Sequence, residues 1–139
     1  MTNYKKAQVP ERHMNSEAVI QTPATAPTDI TERTASFADR VIKLALVLPN
    51  NVAGREIGRQ LIRAAMSVGA NVEEAQAGES KSDFIHKLKI SRKECREAKF
   101  FLVRIANAEL VTPGRLDDLI DEASQLLLIL TSIIRNSGG

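Results

Sequence analysis

Four glutamates offer the chain its plainest route to chemistry: Glu73 and Glu74 in one segment, Glu94 and Glu97 in another. Paired carboxylates can pass protons to a substrate or share a metal ion. Here they lack the inward Glu-x-x-His spacing with which helical bundles hold two metals. Gln60, Arg63, Ser67, Asn71 and Glu74 recur at helical spacing and form a polar stripe beside an apolar one. A stripe so placed favours a register-fixing network: Arg63 paired with Glu94 or Glu97, and Asn71 bonded to a neighbouring helix. Arg63, Asn71, Glu74, Glu94 and Glu97 are therefore read as structural.

Nucleophile and metal chemistry find little else. Cys95 is the one cysteine, and His13 and His86 are the two histidines. Neither CxxC nor HxxxH occurs, so no disulfide or zinc framework is expected. Cys95 falls on an apolar stripe, where a thiol serves as a small buried hydrophobe. His86 has no orienting partner in sequence and reads as a surface or interface residue. No catalytic residue, metal or cofactor is assigned, and the chain is expected not to be an enzyme.

The distribution of charge says more than its total of +2. Between Lys81 and Asn107 eight Lys or Arg face only three Asp or Glu. Lys89, Arg92, Lys93, Arg96 and Lys99 share about a third of a helical circumference. Such a ridge can track phosphates without reading bases. The bland alternative is a solvated face balanced by Asp117, Asp118, Asp121 and Glu122. Just beyond the ridge, Phe100-Phe101-Leu102-Val103 points apolar side chains around the whole helix. One core covers part of that circumference, so Phe100, Phe101 and Val103 are expected at a subunit interface. A further core contact from the N-terminal tail is the alternative.

These residues need helices to hold them. Aromatics make up 4% of the chain and there is no Trp, while Ala, Leu, Ile, Arg, Lys and Glu abound, which favours helix over sheet. The 139 residues suffice for one domain. Residues 1–33, with TPATAPTDIT, read as a flexible tail, and residues 34–136 as the folded domain. The first helix, from Thr34, carries Phe37, Val41, Leu44, Ala45 and Leu48, and Pro49-Asn50-Asn51 ends it. Asn51 caps a second helix with Ile57, Leu61, Ala64, Val68, Val72 and Ala75 inward. Gly69, aligned with Gly58 and Ala65, predicts close approach by another helix. In SVGANVEEAQAGESKSDF (67–84), Gly78 is expected as a left-handed cap, and Ser80 with Asp83 as a capping box. The third helix alternates Phe84, Leu88, Ser91, Cys95, Ala98, Leu102 and Ile105. The fourth, capped by Thr112 ahead of Pro113, runs from Leu116 to Ile134. An all-α, antiparallel up-down four-helix bundle follows. No apolar run reaches membrane-spanning or signal-peptide character, so a cytoplasmic location is expected.

Several of these segments together resemble a known family. Gln60-Leu61-Ile62-Arg63, Ser67-Val68-Gly69-Ala70-Asn71-Val72-Glu73-Glu74-Ala75, Ser80-Lys81-Ser82-Asp83-Phe84-Ile85-His86-Lys87 and Lys93-Glu94-Cys95-Arg96-Glu97 are similar to the signature of the bacterial S23, or 23S rRNA intervening-sequence, four-helix bundle proteins. The similarity spans about Phe37 to Asn136. It implies a bundle assembling as a ring-like homopentamer. Relatives include the accessory variability protein of diversity-generating retroelements, which binds nucleic acid through a basic surface and engages a reverse transcriptase. Phe100-Phe101 departs from an aromatic-Trp pair common in the family, and Ala65 from a Gly or small polar residue. The expectation is an oligomeric accessory protein that binds RNA or DNA through its basic face. The alternative is a protein-interaction scaffold for a polymerase or reverse transcriptase.

Overall fold

The computed structural model describes residues 27–139, and the expected tail up to residue 26 lies outside the described residues. Four helices follow in order: α1 (Pro27–Ala45), α2 (Val52–Gln76), α3 (Lys81–Asn107) and α4 (Gly114–Asn136). Each packs antiparallel on the one before it, and α4 closes back on α1. No strand occurs among the described residues. The core is a continuous apolar column from all four helices, including Phe37, Leu61, Val68, Leu102, Leu126 and Leu130.

The first helix begins earlier than its periodicity suggests: it starts at Pro27, not Thr34. Ile30 and Thr34 lie on the Phe37–Val41 stripe and are fully buried. A threonine in that stripe breaks the apolar pattern in sequence. In the fold its hydroxyl donates to the Ile30 carbonyl at 2.9 Å, which removes the penalty of burying it. The first helix therefore includes residues 27–33, which the sequence reading assigns to the tail.

Helix ends follow their caps. Asn51 caps α2 by accepting the Gly54 N–H at 2.8 Å, and Ser80 caps α3 by accepting the Asp83 N–H at 3.0 Å. Gly78 is not left-handed, because the positive φ values belong to Glu109 and Gly138. Its small size matters instead: a Cβ there would crowd the Asp83 carboxylate and the Ala75 carbonyl. The left-handed cap falls at Glu109 (φ 56°). There the Leu110 N–H reaches the Ile105 carbonyl and the Glu109 N–H the Ala106 carbonyl, the Schellman pairing that ends α3. At the start of α4, Thr112 contributes its carbonyl, which accepts the Arg115 N–H at 3.1 Å.

Close approach of helices is set by small residues. A Cβ on Gly69 would lie 3.4 Å from the Thr34 carbonyl oxygen, so α1 crosses α2 at this point, as the glycine predicts. Gly58 faces Leu48 in the same way. Between α2 and α3, the buried Ser91 hydroxyl donates to the Val68 carbonyl at 2.8 Å and ties the two helices inside the core.

Candidate nucleic-acid interface

The polar stripe of α2 meets α3 and is spent on ion pairs. Arg63 bridges to Glu97 at 2.6 Å and to Glu94 at 3.3 Å. Hydrogen bonding to Glu97, with help from Glu94, holds the guanidinium still more firmly protonated than usual. In the last turn of α2, Glu74 pairs with Lys87 at 3.0 Å and raises the Lys87 ammonium above its ordinary range. Asn71 does not cross to another helix. It donates back to Ser67 of its own helix, to the carbonyl at 2.9 Å and the hydroxyl at 3.0 Å. The four glutamates thus form no shared carboxylate site. Among the described residues, no group of three or more His, Cys, Asp or Glu is placed to hold a metal ion.

Cys95 is buried between α3 and α4, with its thiol directed at the Ala123 carbonyl at 3.5 Å. Burial pushes the thiol up to about 12, and the nearby Glu122 carboxylate adds to the effect. Such a thiol stays protonated at neutral pH.

The cations of α3 divide into two sets. Lys89, Lys93 and Arg96 are exposed along the line opposite the core, while Arg92 and Lys99 are half-buried on a flank. Arg92 reaches across to α4, where its Nη1 donates weakly to the Thr131 hydroxyl at 3.5 Å. Its Nε is buried with no partner. Among the described residues, no carboxylate lies within ion-pair distance of any of the five. Two of the four acidic residues of α4 are engaged otherwise. Glu122 takes Arg33 of α1 at 2.6 Å, and Asp121 accepts from Gln125. The balancing of the ridge by α4 therefore does not occur through direct pairs.

The line continues in both directions. His86, Lys89, Lys93, Arg96, Phe100 and Arg104 are spaced three or four apart and are all exposed. At its start the row borders an open depression of about 510 Å³ lined by Lys81, Ser82, His86, Lys89 and the last residues of the chain. At its end Phe100 is 53% exposed, with the Arg104 guanidinium 4.8 Å from its ring centre. The same four-and-three spacing that groups the ridge also leads to His86 and Arg104.

The three residues expected at an interface differ in exposure. Phe100 sits in the basic row, Phe101 leans half-buried against the core with its ring edge to Phe100 at 5.7 Å, and Val103 is half-buried. A second outward apolar strip lies on α4, where Leu128 is 72% exposed beside half-buried Ile129 and Ile133.

A helical bundle with a basic outer row, no assembled catalytic group and no membrane-length apolar helix among its described residues defines a class of small helical proteins. The chain belongs to the 23S rRNA-intervening sequence protein family, whose model matches residues 27–132. It is similar to a solved structure of a protein of unknown function from the S23 ribosomal protein family of Bacteroides thetaiotaomicron VPI-5482. The two share 28% identity with a TM-score of 0.71, over 78% of this chain and 97% of that one. No curated protein matches the chain.

Proposed function

We propose that this protein is a non-enzymatic, oligomeric accessory protein that binds RNA or DNA electrostatically through the outer row of α3. The observation that supports this most is the absence of any carboxylate partner, among the described residues, for Lys89, Arg92, Lys93, Arg96 and Lys99. Outside the row Arg33, Arg59, Arg63 and Lys87 each have one, while Arg40, Lys43, Arg55, Lys81, Arg115 and Arg135 also lack one among the described residues, so the row is set apart by its alignment on one helix face. Cations left without a carboxylate along about 15 Å of helix are free to replace the counterions of a phosphate backbone. Lys89, Lys93 and Arg96 make the contacts, and Arg92 and Lys99 reinforce them from the flank. Binding without base readout is the expected mode. Titration of RNA and DNA against the protein at increasing salt tests it.

Assembly into a homo-oligomer belongs to the same reading. A seam through Phe100 would bury Arg96 and Arg104 with it, and symmetry would set like charges against each other. The Leu128–Ile133 strip of α4 is free of that cost and is the better seam. Native mass measurement of Leu128→Lys tests this assignment. A drop to monomer with helicity retained supports it, and an unchanged assembly rejects it.

The second reading is a scaffold for a partner protein such as a polymerase or reverse transcriptase. The exposed apolar positions Leu128 and Phe100 favour it. Recovery of a nuclease-resistant protein complex distinguishes it from nucleic-acid binding.

A further inference from the structure

The geometry points to single-stranded nucleic acid as the ligand of the basic row, with Phe100 as a stacking platform for an unpaired base. This inference rests on the nucleic-acid reading of the row and adds a strand preference to it. Phe100 stands one turn beyond Arg96 and two beyond Lys93, on the same outward line. It is the exposed aromatic of that line, 53% accessible, while the neighbouring Phe101 turns toward the core.

The ring is held, not loose. The Arg104 guanidinium lies over one face of the ring, 4.8 Å from its centre, and the Phe101 ring stands nearly perpendicular to it, with centroids 5.7 Å apart and planes at 73°. A cation that stacks on an aromatic face extends the planar surface and places positive charge beside it. Cations that track a backbone, interleaved with an aromatic that accepts a base, form the pattern by which proteins bind single strands without regard to sequence. A duplex presents phosphates to such a row but keeps its base faces stacked inside. The row therefore offers a single strand one interaction that a duplex cannot use.

The test compares oligothymidylate with a DNA duplex of the same length, at one low salt concentration. The proteins are the wild type, Phe100→Leu, Phe100→Trp and the double variant Lys93→Glu/Arg96→Glu. Phe100 is exposed, so its substitutions leave the fold intact, and unchanged helicity and Tm verify this. Phe100→Leu is expected to lose roughly ten-fold in affinity for the single strand, with duplex binding and the salt slope unchanged. Phe100→Trp is expected to retain binding, with its indole fluorescence quenched as the single strand saturates. The charge-reversal pair is expected to weaken both ligands. If Phe100→Leu binds oligothymidylate as the wild type does while charge reversal abolishes binding, stacking is overturned and the electrostatic row stands. A wild type that binds neither probe at low salt overturns both.

Discussion

Gly54 lies directly beneath the Pro49 carbonyl oxygen, close enough that a Cβ at residue 54 would overlap it. The contact closes the α1–α2 turn, and the Gly54 N–H simultaneously satisfies the Asn51 cap. Two glycines of α2 should therefore respond oppositely to alanine. Gly54→Ala must push backbone from backbone and is expected to cost about 2–3 kcal/mol. At Gly69 the added methyl meets the Thr34 carbonyl oxygen at 3.4 Å, an ordinary contact. Gly69→Ala should be neutral or stabilising by up to about 1 kcal/mol through helix propensity. Urea unfolding with unchanged m-values measures both. Equal effects at the two sites would show that the turn is not as tight as described.

Glu109 occupies a left-handed conformation at the end of α3 (φ 56°) that a glycine adopts without steric cost. Its side chain is exposed. Glu109→Gly is expected to raise stability by about 0.5–1 kcal/mol, the relief of the left-handed conformation outweighing added freedom in the unfolded chain. Glu109→Ala should leave the conformational strain in place. Thermal unfolding of the two variants side by side separates them.

Burial raises the Cys95 thiol to about 12 from an ordinary 9.0. The folded state therefore resists ionisation that the unfolded chain permits. The resulting contribution to stability is complete below about pH 9. It declines as pH rises from there through about 12, since only the unfolded thiol readily loses its proton in that window. Below pH 9, alkylation of Cys95 should be limited by unfolding and accelerate with urea. Rapid modification of the native protein would contradict the burial of this side chain.

Much of this fold can be read from periodicity. α2 and α4 repeat apolar residues every three or four positions, α3 does so with Ser91 as its polar member, and the predicted stripes supply most of the buried residues. α1 was misjudged at its start because Thr34 stands where an apolar residue is expected, and hydroxyl back-bonding is invisible to a hydropathy pattern. Asn71 shows the same limit: spacing placed it on the right flank but could not say whether it bonds across helices or back along its own. Gly78 is expected left-handed at the end of α2 and is not, whereas the exposed Glu109 takes that conformation at the end of α3, where no glycine signals it. On α3 the five cations were legible as one face. Which of them stand outward, and which lean toward α4, depends on where the core lies. Only the packing of all four helices decides that. The continuation of the row through Phe100 and Arg104 emerges for the same reason.

The central claim is that the outer row of α3 binds a phosphate backbone, and its most direct test is the salt dependence of that binding. Affinity of the full chain for a single-stranded RNA and a DNA is measured by fluorescence anisotropy across a salt series, for the wild type and for Lys89→Glu/Arg96→Glu. With about four phosphates neutralised, log K should fall against log salt with a slope of roughly −3 on single strands. The double reversal should weaken binding at low salt by at least ten-fold and flatten the slope. Binding that is absent at low salt, or indifferent to reversal of Lys89 and Arg96, would contradict the account.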